Sequence, residues 1–269
     1  MLDGGPSVQL QRTHGTAAVA VSVRDGRIQL DRLKQSGSAK CLLPRVHRAV
    51  PQAVFLNTSG GITGGDQIEF GAQVGADASL IATTQTAERA YQSVTGSGHV
   101  DVTLDVGENA NLVWVPQETI LFDQANLDRK TRVNLAPGAS LFMLESLVFG
   151  RCAMGETLVS VSCKDTRQVD GPNGPIWRDR LHISDQTVQD AGHPFGLANA
   201  GAIATVYAFG PAYQNLKVQC TDGVRLSKSA WTGQTVVRMM SPRAHALRNA
   251  LVSLLAENLP EGVPRVWQI

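Results

Sequence analysis

Glu118, Asp123, Glu145 and Glu156 stand on or beside apolar runs, where a carboxylate either pairs with a cation or lines a polar interior. Two carboxylates can run hydrolysis, one as the acid and one as the base. A β-rich, carboxylate-dependent hydrolase using Asp123 and Glu145 is therefore one class to test, and it requires a cleft that joins the two acids. Leu144 precedes Glu145, and Leu147, Val148 and Phe149 follow after Ser146, so the acid needs a partner; Arg151 is close by in sequence. No G-x-S-x-G elbow, H-E-x-x-H pair or kinase set is written here, so nothing specific supports an enzyme.

Gly60, Gly61, Gly64 and Gly65 crowd ahead of Asp66. Glycines cradle phosphate when a Lys-Ser/Thr pair ends the loop, or when G-x-G-x-x-G opens a helix. Neither occurs, and residues 67–70 alternate like a strand. The four glycines read as structural, placed for positive φ or close approach. Asp66 has little side-chain cover there, so its carboxylate accepts backbone N–H groups or faces a cavity. With no nucleotide motif in the chain, any energy source has to come from a partner. None of the six histidines (His14, His47, His99, His182, His193, His245) is spaced two or four residues from another His or Cys, so no local metal site is written. Cys41, Cys152, Cys163 and Cys220 form no C-x-x-C and read as small buried residues in a reducing compartment.

The elements that must position these groups are mostly strands. Val100, Val102, Leu104 and Val106 alternate with Asp101, Thr103 and Asp105, a period of two with one buried face and one wet face. A turn at Gly107, Glu108 and Asn109 leads to a second strand at residues 112–115. Residues 74–80, 106–112 and 135–141 share one pattern: an apolar residue, three turn residues, Ala, then Ser or Asn, then Leu. A spacing of roughly 30 residues suggests stacked β-hairpin units, each burying its face on the next. Four residues beyond the repeated Leu, Thr84 and Glu145 hold corresponding positions. Near the end, Ser241 and Pro242 predict a helix start, and Leu247, Leu251, Leu254 and Leu255 form a one-sided stripe that stops near Leu259 before Pro260. The expected fold is mainly β, with stacked β-hairpin or β-helix-like strands and a C-terminal helix. It is read as a single domain over residues 1–269, with the turn-rich segment 170–175 as the best internal boundary.

The chain's 269 residues can bury a core without disulfide or metal staples. Lys and Arg number 24 against 23 Asp and Glu, a net charge of +1, which argues against a protein whose main task is holding nucleic acid. The N-terminus carries Asp3 and no apolar core, so no signal peptide is read. The longest apolar stretch, residues 200–209, is about half of a membrane span, and the expected compartment is the cytoplasm.

Five segments in order carry a resemblance. Residues 55–66 (FLNTSGGITGGD), 83–91 (TTQTAERAY), 116–122 (PQETILF), 144–151 with Gly155 and Glu156 beyond, and 264–267 (PRVW) resemble the signatures of the urease accessory protein UreD family, also called UreH. The resemblance implies a largely β protein with no activity and no cofactor of its own. It implies a metallochaperone that joins UreF and the GTPase UreG on the urease apoprotein, handling nickel only in transit. A polar passage for nickel through the UreD-like subunit belongs to the same implication. On that basis Asp66, Thr83, Thr84 and Glu145 are expected to face a passage whose oxygen ligands release an ion easily. Leu247, Leu251, Leu254 and Trp267 are expected to form part of the UreF-facing surface.

Overall fold

The computed structural model describes residues 11–44, 49–151, 155–194 and 196–268. The reading of the extreme N-terminus with Asp3, and those of His47 and Cys152, lie outside the described residues. The first strands are β1 (His14–Arg24), β2 (Arg27–Gly37), β3 (Ala39–Leu42), β4 (Gln52–Asn57), β5 (Gln67–Val74) and β6 (Ser79–Thr84). The central strands are β7 (Glu88–Ala90), β8 (Gly98–Val106), β9 (Asn111–Trp114), β10 (Thr119–Leu121), β11 (Ala125–Leu135) and β12 (Ser140–Phe149). After them come β13 (Val161–Gly171), β14 (Gly174–Ile183), α1 (Asp185–Gln189), β15 (Ala202–Phe209), β16 (Arg225–Trp231), β17 (Gln234–Ser241) and α2 (Ala244–Asn258).

The strands form two sheets. A seven-stranded sheet runs β14-β13-β11-β8-β5-β1-β2, and a ten-stranded sheet runs β16-β17-β15-β12-β9-β6-β4-β3 with β7 and β10 joined beside β12. The expected alternation is realised in β8, where Val100, Val102, Leu104 and Val106 point into the core. The mainly β, stacked-strand class with a C-terminal helix is what the structure shows.

Within that class the pairing differs from a stack of hairpins. β5, β8 and β11 pair in parallel in one sheet, while β6, β9 and β12 pair in parallel in the other. The repeated turns therefore carry the chain from one sheet across to the other. The repeated turns are one residue longer than a two-residue hairpin turn. Here three turn residues bend the chain, with Asp77, Asn109 and Gly138 alone in the left-handed region at φ 57°, 53° and 71°. The turns also stack: Asp77 N donates to Glu108 O at 2.9 Å and Asn109 N to Pro137 O at 3.1 Å. True hairpins lie outside the repeat, as β1 with β2, β13 with β14, and β16 with β17. The segment 170–175 is the tip of the β13–β14 hairpin.

One core fills the space between the sheets, and a second lies between the ten-stranded sheet and α2. In the second, Leu247, Leu251, Leu254 and Leu255 pack on the face that carries Val113, Phe142, Leu144 and Val206. The helix starts later than its Ser-Pro signal. Ser241 still pairs with Ala202 as the last residue of β17, and its hydroxyl donates to Gly223 O, so strand pairing takes the predicted cap. The helix ends at Asn258, ahead of Pro260, as the sequence requires. Among the described residues no helix is long and apolar enough to cross a membrane.

Candidate functional site

The inward phase of the seven-stranded sheet is apolar at both ends and polar in the middle. On β13, Val161, Cys163, Asp165, Arg167 and Val169 point inward; on β11, Leu127, Arg129, Thr131 and Val133 do. Opposite them Glu145 points inward from β12. Its Oε1 accepts from Trp114 Nε1 at 3.2 Å and from the Thr131 hydroxyl at 2.8 Å. Its Oε2 accepts from Arg167 Nε at 2.7 Å, with an Arg129 nitrogen 3.6 Å away. Arg129 holds Asp165 bidentately at 3.0 and 2.6 Å and donates to the Thr119 hydroxyl at 3.1 Å. Arg167 also reaches Asp165 and, at 2.8 Å, Asp179. Asp179 is met from the other sheet by Arg238 at 2.7 Å.

Three acids thus meet three arginines, and the array ties the sheets together from a buried centre to the half-exposed Arg238. A buried charge is tolerated only with such partners. Burial alone would push the Asp165 carboxyl up; the charges of Arg129 and Arg167 outweigh it and hold the group below its usual range. Burial pushes the neighbouring Cys163 thiol up to about 12, so it stays a neutral packing residue. Cys41 is likewise buried, but Cys220 is exposed, against the expectation that the cysteines are buried.

Above this array lies a cavity of about 80 Å³ between the sheets, room for roughly half a dozen waters. Glu145, Arg129 and Trp114 are its buried floor, and the exposed Gly60, Thr86 and Arg89 mark its mouth. Thr84 and Glu88 line the wall between. Burial pushes the Glu88 carboxyl up to about 7, against the opposing pull of the Arg89 N–H, the Asn57 amide and the Arg89 charge. Glu88 therefore changes charge near neutral pH at the wall of the cavity.

Of the four residues expected to share a passage, Thr84 and Glu145 line this cavity; Asp66 and Thr83 do not. The Asp66 carboxylate accepts from the backbone N–H groups of Thr13 and Thr63 at 2.8 and 2.9 Å and so staples the glycine loop to the start of β1. Thr83 faces the helix side, where its hydroxyl donates to Val115 O at 2.6 Å and accepts from Trp267 Nε1 at 3.3 Å. Arg151 does not pair with Glu145. It binds Glu156 through two nitrogens, each at 3.1 Å, while Arg167 and Arg129 take the role expected of it. Asp123 accepts from Val159 and Ser160 N–H groups and does not line the cavity that Glu145 faces, so the two acids of a hydrolase share no cleft. Leu247, Leu251, Leu254 and Trp267 are buried in the chain's own core. Their side chains are not free to meet a partner, which would reach only the opposite face of α2. Among the described residues no three His, Cys, Asp or Glu side chains gather as metal ligands.

The five sequence segments converge on two clusters. In one, a Cβ on Gly61 would meet the Tyr91 ring at 2.2 Å, so only glycine fits. Tyr91 donates to Gly60 O and packs edge-on to Phe122, over which Arg151 lies at 4.5 Å. In the other, Gln117 donates to Val266 O and accepts from Arg248, which sits 5.1 Å over the Trp267 ring and also binds Glu118. Arg129, Arg167, Asp165 and Asp179 were not singled out from the sequence. The available signal is charge in the buried phase of an alternating strand, at Asp165 and Arg167 between Cys163 and Val169.

Fold and site together define a two-sheet, parallel stacked-strand protein with a polar, charge-balanced interior. A sequence model described as "UreD urease accessory protein" matches residues 13–268. Proteins named urease accessory protein UreD are similar throughout: that of Cereibacter sphaeroides is 40% identical, covering 96% of each chain. The Dinoroseobacter shibae protein is 42% identical over 98% of this chain and 95% of its own. That of Paracoccus denitrificans is 38% identical over 100% of this chain and 97% of its own. The chain belongs to the UreD urease accessory protein family.

Proposed function

We propose that this chain acts in the cytoplasm as a metallochaperone scaffold that joins UreF and the GTPase UreG on the urease apoprotein and assists GTP-dependent nickel insertion. It turns over no substrate, and nickel is its cargo. The observation that carries this reading is the cavity between the sheets in a chain of this family. Besides Glu145, the oxygen-bearing side chains on its lining are Asn57, Thr84, Thr86, Glu88, Gln117 and Thr119. Scattered oxygen donors hold a divalent ion weakly and let it go, as transit demands. The Glu145 end differs: Arg167 already neutralises that acid and Arg129 is paired with Asp165, so the floor offers a cation no free negative charge. The passage we propose runs through the outer half of the cavity, past Thr84 and Glu88, with Glu145 as its structural floor.

Ala87, on the cavity wall, tests the route. Ala87→Trp in the assembled complex should leave partner binding intact and lower the nickel content of urease. Full nickel loading with the cavity blocked would overturn the route.

A further inference from the structure

Strand β2 is the free end of the seven-stranded sheet. β1 pairs with one of its edges and, among the described residues, nothing pairs with the other. Every residue of β2 except Ile28 is exposed. Its two faces differ. Register with β1 puts Ile28, Leu30 and Leu33 beside Val23, Val21 and Val19, on the inward phase. Arg27, Gln29, Arg32 and Lys34 lie beside Arg24, Ser22, Ala20 and Ala18, on the outward phase.

The inward phase of β2 is left uncovered because the facing sheet ends in β3, which has 4 residues against 11 in β2. Leu30 and Leu33 stay 46% and 39% exposed as a result. Charges and a bulge are ordinary means of blunting a sheet edge, and β2 has both, the bulge being Asp31, the extra residue between Leu30 and Arg32 opposite Val21 and Ala20. They account for the cations. They do not account for leucines turned to water on the opposite face.

A second copy of the chain is a poor occupant. Two-fold pairing of β2 with β2 sets Arg27, Arg32 and Lys34 against the same set, and like charges across strands repel. Asp31, the one acid of the strand, is already held by Arg24. Arg27 and Lys34 have no side-chain partner among the described residues. The geometry points to an extended segment of a partner protein, with carboxylates alternating with aliphatic residues, which adds to β2 as a further strand. Backbone hydrogen bonds supply affinity in such pairing, and alternate side chains supply specificity. The acids meet Arg32 and Lys34, and the aliphatic residues cover Leu30 and Leu33. This inference rests on the free edge and is independent of the nickel route.

The test uses the full chain and a short synthetic peptide that alternates Glu with Val. Its controls are a Lys/Val peptide and a Glu/Val peptide interrupted by proline. Saturable binding of the first peptide alone is expected, with slowed hydrogen exchange confined to β2. Leu33→Lys puts a charge under the added strand and should weaken binding about ten-fold. The double variant Arg32→Glu, Lys34→Glu should transfer preference to the Lys/Val peptide. All three positions are exposed, so unchanged circular dichroism and Tm accompany these results. Absence of saturable binding at millimolar peptide, equal binding of the proline peptide, protection away from β2, or self-association through β2 would each overturn the inference.

Discussion

Glu145 sits where a single lost partner is costly. All its hydrogen bonds come from buried groups, and its removal leaves three arginines, Arg129, Arg167 and Arg238, against two acids, Asp165 and Asp179. Breaking a buried ion pair from one side costs about 3–5 kcal/mol. Glu145→Ala should lose stability on that scale in urea denaturation, and a loss below about 1 kcal/mol would show that the array is not structural. Glu88 gives a prediction of opposite character. Its carboxyl titrates near 7 in the folded chain and near 4.5 in the ordinary state. Between those values the unfolded chain gives up its proton first, so stability falls as pH rises through the window. Glu88→Gln should remove that fall and gain on the order of 1–3 kcal/mol relative to the parent at pH 8, with little difference at pH 4. Parallel pH–stability curves for the two proteins would refute it. At this scale the sequence announced Glu145 through its apolar neighbours but not its partners. Proximity in sequence pointed to Arg151, whereas strand pairing brings in Arg167 and Arg129. Asp66 was legible as a carboxylate among glycines with two open fates, and backbone capping is the one taken.

Strand and helix identity followed from periodicity, and pairing did not. The repeated turns could be read from residues 74–80, 106–112 and 135–141, yet hairpin and cross-sheet arch share the same alternation on either side. A left-handed turn residue does not separate them either: Gly233 in the β16–β17 hairpin and Asp77 in an arch both have positive φ. The leucine stripe of α2 was legible as an apolar face, but a stripe does not say whether it covers its own sheet or a partner. Here it covers the ten-stranded sheet. Trp267 locks that arrangement: its Nε1 donates to Val115 O at 2.9 Å, its ring lies under Arg248, and it is buried against β6 and β9 residues. Trp267→Ala should cost about 3–5 kcal/mol, as a large buried aromatic does. It should also speed hydrogen exchange in α2 before the parallel strands. Uniform acceleration throughout the chain would contradict the view that the C-terminal tail fastens the helix as a unit.

Across the whole molecule, stacked parallel strands enclose a charge-balanced interior, and a cavity with its mouth at Gly60, Thr86 and Arg89 sits above the balanced array. The acids of the buried array, Glu145, Asp165 and Asp179, are each already paired with arginine. In the function proposed above, the cavity is the place in the chain that the cargo would pass. The most direct measurement is urease activity together with nickel content of purified urease, from cells expressing the cognate urease genes with and without this chain. The comparison is made at equal urease protein and with UreF and UreG present in both. The account predicts inactive, nickel-poor urease when the chain is absent and restoration of both activity and metal when it is supplied. Fully active, nickel-loaded urease without the chain would contradict it.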